Sequence, residues 1–166
     1  MKPLPSAAPV LEAARLRLRP MGLGDIDALF AIYGDAEVMR HASDDAFAEP
    51  ATVGVMLASV DRLLAEGLAI EWAIELKAPH ELVGTCGLHG FDRAAASAEV
   101  GCLLVRKAWG QGVMREAMHA MFSFAKHDLG LARLRADIDA PNTRSIRLFT
   151  TMRFAHSHAT LYERAL

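Results

Sequence analysis

Apolar and polar residues alternate with a period of two along several short segments of the chain. Residues 15–19 alternate Arg and Leu and stop at Pro20, which predicts a half-buried first strand. Residues 68–77, 82–89 and 98–105 repeat this period, and only short loops separate them. The three segments therefore predict an antiparallel meander of consecutive strands.

Other stretches repeat their apolar positions every three to four residues, which is typical of helices. Helices are predicted over residues 25–34 (with Asp25 as the cap), 50–67, 112–129 and 141–151. Further strands are predicted over residues 131–139, 154–159 and 161–165. The long helix lies between two strands, which predicts a crossover connection and a parallel pair. No repeat or linker interrupts the pattern, so we expect one α+β domain over residues 1–166 with a mixed sheet.

The composition limits the class of protein. The chain has 166 residues, with 18 Lys and Arg against 20 Asp and Glu, and its net charge of −2 provides no overall field that would attract nucleic acid or an anionic membrane. Residues 1–10 lack the apolar core of a secretory signal, and no run approaches 18 apolar residues, so a cytoplasmic protein is expected. Cys86 and Cys102 lie in apolar strand-like segments, which favours buried, reduced thiols.

A turn with two glycines, Gly110 and Gly112, lies between the third meander strand and the long helix. Glycine permits a tight turn with bare backbone N–H groups, and the helix adds its unpaired first-turn N–H groups and the positive end of its dipole. Arg106 and Lys107 bring cationic side chains to the same corner. This combination favours a phosphate or pyrophosphate ligand, but a plain strand-to-helix turn with a solvated basic pair has the same pattern.

The order of elements and two motifs resemble the GNAT superfamily of acyl-CoA N-acyltransferases. The family's pyrophosphate loop, Arg/Gln-x-x-Gly-x-Gly/Ala, is matched by residues 107–112, with Lys in the first place. A second family motif is matched at Asn142, Ser145, Ile146, Leu148 and Phe154. The segments similar to the RimJ/RimL branch, which acetylates protein N-terminal amines, are residues 15–20, 37–39, 109–112 and 116–117.

The resemblance implies a fold, a cosubstrate and a set of ligand contacts. The implied fold is a mostly antiparallel sheet with helices on both faces, and the implied activity is direct transfer of acetyl from acetyl-CoA to a primary amine. The backbone of residues 103–105 would pair with the pantetheine arm, and the amides of residues 110–114 would hold the pyrophosphate. The implied cofactor-binding residues are Leu103, Leu104, Val105, Arg106, Lys107, Gly110, Gln111, Gly112, Val113, Met114, Asn142, Ser145 and Phe149. Arg144 and Arg147 are further candidates for phosphate contacts, and Trp109 is expected to pack beneath the turn.

Two residues depart from the family pattern, and two are candidates for the chemistry. Phe149 replaces the tyrosine that often returns a proton to the CoA thiolate, and Arg153 replaces the glycine before Phe154. Ser145 is our candidate for polarising or protonating the sulfur, and its alternative role is that of an ordinary polar residue near a helix start. Glu99 matches the glutamate that accepts the amine's proton in the resembling enzymes, and its alternative role is a surface charge.

No motif specifies the amine acceptor. An α-amino group with a pKa near ~8 loses its proton more easily than a lysine with a pKa near ~10.4. Because no histidine is evident at the site and the family's tyrosine is missing, this difference modestly favours α-amines or other amines of low pKa. Residues 35–50 and the terminal strands are expected to form the acceptor groove. Acetylation of a small amine and a role as an acyl-CoA-binding sensor are the alternatives, and a homodimer remains open.

Other ligand classes are disfavoured by spacing. Arg115 stands where a dinucleotide-binding turn would have its third glycine. His156 and His158 share a strand face but have no third ligand at metal spacing, so no metal site is predicted.

Overall fold

The computed structural model describes residues 1–166, which fold around one eight-stranded sheet. The strands are β1 (Leu11–Glu12), β2 (Leu16–Arg19), β3 (Ala69–Leu76), β4 (Glu81–Asp92), β5 (Ser97–Leu104), β6 (Arg133–Asp137), β7 (Ala155–His158) and β8 (Leu161–Ala165). The helices are α1 (Ile26–Tyr33), α2 (Ala36–Met39), α3 (Ala51–Ala65), α4 (Val113–His127) and α5 (Thr143–Thr151), with 3-10 turns at Leu23–Asp25 and Arg106–Ala108. The strand order is β1-β2-β3-β4-β5-β6-β8-β7, and only β5 and β6 are parallel. The predicted α+β fold, its meander and its parallel pair are confirmed.

Helices cover both faces of the sheet, and β3 is consequently buried on both. Trp72 packs edge-to-face against Phe124 of α4, with ring centroids 5.5 Å apart. On the opposite face, Ala73 and its cross-strand partner Thr85 are buried, and Thr85 contacts Tyr33 of α1. The small residues that alternate with the large apolar ones in this strand therefore also face the interior.

The Arg-Leu-Arg-Leu-Arg segment surrounds a buried carboxylate. Arg17 donates to Glu75 at 2.7 Å, and Arg19 donates both to Glu75 and, at 2.7 Å, to Asp25. The hydrogen bonds from Arg19 hold the pKa of both carboxyls below their ordinary values. Asp25 precedes α1, but its side chain makes no capping hydrogen bond to that helix. The predicted capping role is wrong because the carboxylate is engaged by Arg19.

The two cysteines face each other across β4 and β5 as free thiols. Cys86 is buried and Cys102 is half-buried, and desolvation raises the pKa of Cys102 to about 12. Both groups are therefore neutral thiols at physiological pH, in agreement with the prediction of reduced cysteines.

Strands β5 and β6 separate after a short pairing, and this separation positions the site. Their register joins Ser97, Ala98 and Glu99 to the first three residues of β6 and then ends. Residues 100–104 remain paired with β4 on one side but have no strand on the other. Unpaired backbone groups at this edge can receive an extended ligand in the manner of an added strand.

The end of α5 contains the residue that replaces the family's glycine. Arg153 has φ +66°, a left-handed conformation, and its N–H donates to Thr150 O while that of Phe154 donates to Phe149 O. The Phe149 and Phe154 rings pack edge-to-face with centroids 4.9 Å apart. These contacts form a Schellman motif, whose left-handed position is ordinarily glycine. Arg153 does not abolish the turn, because the two hydrogen bonds and the aromatic contact hold it.

We expect Arg153→Gly to stabilise the protein by about 1 kcal/mol, because a side chain in the left-handed region costs roughly that amount. For a chain of this length the melting temperature should rise by about 2–4 °C. Arg153→Ala is the matched control, because it removes the charge but keeps the Cβ atom, and it should give little of the gain. A gain of equal size in both variants would show that charge, rather than backbone strain, is responsible.

Candidate active site

A cleft of about 890 Å³ opens where β5 and β6 separate. The turn of residues 108–115 and helix α5 border one end, and residues of α1, α2 and the following loop border the other. The predicted site residues that line it are Glu99, Leu103, Leu104, Gly110, Gln111, Gly112, Val113, Met114, Asn142, Ser145 and Phe149. One continuous surface therefore carries most of the residues that the two motifs predicted.

The glycine turn presents a row of free backbone donors. Gly110 and Gly112 have φ values of +73° and +75°, which the L-amino acids with side chains rarely adopt. The N–H groups of residues 110–115 donate to no backbone carbonyl, and the first backbone hydrogen bond of α4 runs from Glu116 to Gly112 O at 3.1 Å. A Cβ atom added to Gly110 would have no heavy atom within 4 Å. This open cradle of N–H groups at a helix N-terminus fits a phosphate group.

Contacts from distant segments hold this turn in place. Trp109 Nε1 donates to Leu104 O at 2.7 Å, and Gln111 Nε2 donates to Lys107 O at 2.6 Å. Arg15 donates to Gln111 O at 3.2 Å and pairs with Glu116 at 2.7 Å, which ties the turn to the residue preceding β2. Arg15 was predicted only as a strand residue, since its partners lie about a hundred positions away in the sequence.

The cations at the cleft differ from those that the motif suggested. Arg106 pairs with Asp35 at 2.8 Å and Lys107 pairs with Glu81, and neither residue lines the cleft. Val105 is buried and likewise outside it. The cationic side chains that line the cleft are those of Arg115, Arg144 and Arg147. The Arg144 guanidinium lies 3.2 Å from the centroid of the Trp109 ring, so Trp109 also supports an arginine at the rim.

Helix α5 contributes three predicted residues with different surroundings. The Asn142 side chain accepts the Ser145 N–H at 3.2 Å and so caps the helix. The Ser145 hydroxyl makes no hydrogen bond within the protein, although its residue lines the cleft. Phe149 is buried against Phe154 and provides an apolar wall without a proton donor.

Glu99 lies on β5 between His89 of β4 and Arg135 of β6, which are its partners in register. Its side chain has no ion pair or hydrogen bond within the protein, whereas Arg135 donates to Gly90 O at 2.9 Å. His89 also lines the cleft, and its Nε2 lies 3.4 Å from the place that a Gly101 Cβ would take. The prediction that no histidine stands at the site is wrong. The sequence could have predicted this neighbour, because a meander that turns between its second and third strands places residues 89 and 99 opposite each other.

The far end of the cleft is built by the first helices. Tyr33 and Thr85 share a hydrogen bond of 3.1 Å, and Tyr33 stacks on Phe47 with centroids 5.2 Å apart. Burial raises the pKa of Tyr33 to about 12. The lining residues at this end come from part of the segment that we predicted for the acceptor groove, namely Glu37, Val38, His41, Ala42 and Ser43. Strands β7 and β8 contribute no lining residue. The terminal strands lie beyond β6 and so cannot reach the cleft.

Charge is separated along the cleft. Its arginines lie on the glycine-turn side, on α4 and α5, whereas its carboxylates lie on strands of the sheet (Glu71, Glu99 and Asp137) and on α2 (Glu37). Glu37 pairs with Arg40 at 2.9 Å, but neither Glu71 nor Glu99 has a cationic partner in the chain. An anionic phosphate ligand at the arginine side and a cationic molecule at the glutamate side would match this distribution of charge.

Free amides at a helix start, an unpaired strand edge and carboxylates beyond it fit a protein that binds an acyl-CoA beside an amine. Comparison with known families agrees. The model of the acetyltransferase (GNAT) domain matches residues 15–155, which is most of the chain. The protein belongs to the GNAT acetyltransferase family, and it is an acetyl-CoA-dependent N-acetyltransferase.

Individual relatives support this assignment. The uncharacterized N-acetyltransferase p20 of Bacillus licheniformis is 33% identical over 144 residues, covering 87% of this chain and 81% of p20. Mycobacterium smegmatis RimJ, solved with CoA-disulfide, has a TM-score of 0.81 at 16% identity and covers 99% of this chain and 90% of its own. Spermidine N-acetyltransferase from Vibrio cholerae, solved with CoA and spermine, has a TM-score of 0.79 at 13% identity, covering 91% of this chain and 95% of its own. The two structural likenesses establish the fold alone.

No helix here is long and apolar enough to span a lipid bilayer.

Proposed function

We propose that residues 1–166 form a single domain that transfers acetyl directly from acetyl-CoA to a primary amine in a ternary complex, with Glu99 as the proton acceptor. The observation that carries the proposal is the position of Glu99. It is a carboxylate without a partner in the protein, and it lies where β5 and β6 separate, on the same strand face as Gly101 and Leu103. A base must be free of competing partners to accept a proton from an incoming amine.

The cosubstrate would lie along the unpaired edge of β5 and end in the glycine turn. The backbone of Leu103 and Leu104 would bind the pantetheine arm, and the amides of residues 110–114 would bind the pyrophosphate. Arg144 and Arg115 replace Arg106 and Lys107 as the side chains that we expect near the phosphates, because they line the cleft. Charge-assisted hydrogen bonds from such donors are about twice as strong as neutral ones.

The chemistry requires a neutral amine, a proton acceptor and a way to stabilise the departing sulfur. Acetyl-CoA supplies the acetyl group as an activated thioester. Glu99 accepts the proton that the amine nitrogen loses as the new C–N bond forms and the C–S bond breaks, and the sulfur leaves with the bonding electrons. The Ser145 hydroxyl, which has no partner in the protein, is the donor that we assign to the sulfur. Phe149 can only exclude water there.

The acceptor is a primary amine, either a protein N-terminal α-amine or a small-molecule amine. His89 weakens the preference for α-amines, because it stands beside Glu99 as a second group that can carry a proton. RimJ and a spermidine N-acetyltransferase share the fold at low identity, so the fold alone does not choose between the two kinds of acceptor.

The decisive experiment measures thiol release from acetyl-CoA with a panel of short peptides carrying free N-termini and a panel of small primary amines. We expect release well above the rate without acceptor for at least one of the two panels. Calorimetric titration with CoA should be run on the same protein. Micromolar CoA binding without thiol release from any amine would contradict the proposal and would indicate an acyl-CoA-binding sensor.

A further inference from the structure

Glu71 is a carboxylate of the cleft that takes no part in the proposed proton transfers. It lies on β3, is half-buried and lines the cleft, yet it has no hydrogen bond or ion pair within the protein. Glu75, four residues further along the strand and on the same face, is buried but is paired with Arg17 and Arg19. The chain therefore neutralises one carboxylate of this strand and leaves the other without a countercharge.

Two glycines follow Glu71 across the sheet toward β5. Glu71 is in register with Gly87 of β4, which is in register with Gly101 of β5. A Cβ atom at Gly87 would lie 2.6 Å from Glu71 Cγ, so the glutamate side chain lies over the glycine. The His89 ring lies over Gly101, with Nε2 3.4 Å from the position of a Gly101 Cβ atom, so the side chains of Glu71 and His89 cover the two glycines and border the cleft.

Tyr33 and Cys86 are titratable neighbours of Glu71, and neither carries a positive charge. The charge of Glu71 contributes, after burial, to raising the pKa of the Tyr33 phenol and the Cys86 thiol, which places both groups close to it. Desolvation without a compensating cation raises the pKa of Glu71 itself. Burying an unpaired carboxylate is costly, and a cation supplied by a ligand would offset that cost.

The separation of the two unpaired carboxylates indicates the size of the ligand. Glu71 and Glu99 stand two strands apart and two residues out of register, so their Cα atoms are roughly 12 Å apart by standard sheet spacings. A chain of about three to five methylene groups that passes over the His89 ring would span this distance, with one nitrogen beside Glu99 and an ammonium group at Glu71.

We propose that Glu71 binds a second ammonium group of the acceptor, so that the enzyme selects short aliphatic diamines over monoamines. The inference rests on the proposed function, since one nitrogen must react beside Glu99 while the other is held at Glu71. A peptide fits less well, because Tyr33 and Thr85 already hydrogen-bond to each other and so offer few free groups to peptide amides. Glu71 acts in this scheme as a binding residue that determines specificity.

The test compares 1,4-diaminobutane with 4-amino-1-butanol, which has nearly the same length but only one ammonium group. In the wild-type protein with saturating acetyl-CoA, we expect kcat/KM to favour the diamine by about 10- to 50-fold, as for one partly buried charge-assisted contact. This ratio of kcat/KM values is counted per amine group, because 1,4-diaminobutane carries two equivalent amines and would otherwise gain a factor of two. In Glu71→Gln the preference should fall below about 3-fold through a higher KM for the diamine, while KM for acetyl-CoA stays unchanged. Glu71→Asp keeps the charge and should retain part of the preference.

Equilibrium binding provides a readout that does not need turnover. Calorimetric titration of the protein with each amine, without acetyl-CoA, should show the same preference in Kd and the same loss in Glu71→Gln. Thermal unfolding should show that Glu71→Gln is at least as stable as the wild type, because no internal ion pair is removed. Equal binding of both amines by the wild type, or an unchanged preference in Glu71→Gln, would overturn the assignment of Glu71. If the diamine binds as expected but no thiol is released, the proposed transfer fails while the ammonium site stands. A stronger preference for peptides than for the diamine in all variants would overturn the diamine assignment.

Discussion

Replacing Glu99 with Gln is expected to lower kcat at pH 7 by about 10²–10³-fold, with little change in KM for acetyl-CoA. A positioned general base contributes typically 10²–10⁴-fold, and glutamine keeps the size of the side chain but cannot take a proton. Glu99 makes no ion pair or hydrogen bond in the protein, so the substitution breaks no internal contact. Because Glu99 takes the proton that the nitrogen loses as the C–N bond forms, the defect should persist at pH values at which the acceptor amine is already neutral.

Thiol-release kinetics between pH 6 and pH 10 would measure this effect. Glu163→Gln is the matched control, since Glu163 is also a strand glutamate near β6 but pairs with Arg133 at 3.4 Å and lies outside the cleft. Its kcat should be unchanged. Full activity of Glu99→Gln at pH 7 would remove Glu99 from the mechanism and direct attention to His89, while the transferase activity itself would stand.

The second large effect is expected from Gly110→Val, which should raise KM for acetyl-CoA by about 100-fold. A β-branched residue is strongly disfavoured at φ +73°, so the turn must either store roughly 1–2 kcal/mol of strain or change its conformation. A changed turn would turn its N–H groups away from the pyrophosphate. Losing two charge-assisted hydrogen bonds, each worth about 1.5–3 kcal/mol, is sufficient for a change of this size.

Gly130→Val separates the effect on the ligand from the effect on stability. Gly130 follows α4 at φ +68°, and, as at Gly110, no heavy atom lies within 4 Å of its potential Cβ. Both variants should therefore lose similar stability in thermal unfolding, but only Gly110→Val should weaken binding in a titration with CoA. Equal CoA affinity in the two variants would show that the glycine turn does not hold the pyrophosphate.

Features that depend on neighbouring residues could be predicted from the sequence. The meander, helix α4 and the left-handed turn follow from periodicity and glycine placement, because hydrogen bonding and side-chain direction repeat over two to four residues. The same alternation places Glu99 on one face with Gly101 and Leu103. Two motifs read together were sufficient to predict the family that the comparison then confirmed.

Some interpretations failed because a competing contact was not visible locally. Asp25 stands where a helix cap is expected, but Arg19 takes its carboxylate. Lys107 occupies the first position of the pyrophosphate motif, but its side chain pairs with Glu81 instead of turning to the cleft. Charged side chains are long and flexible, so their direction is determined by the partner that they meet.

What the sequence determined by itself is the order of the longer helices and strands, the glycine turn and the family, since the patterns that predict them repeat within a few residues. The short strand β1 and the short helix α2 were not predicted. Only the tertiary structure decided which side chains meet at the cleft and which of them have partners. It brings Arg15 to the turn across about a hundred positions, sets Arg144 over Trp109, places His89 beside Glu99 and leaves Glu71 without a countercharge. The reason is physical: such pairings depend on strand register and helix packing, and the polarity of a single residue does not encode which distant side chain will stand beside it.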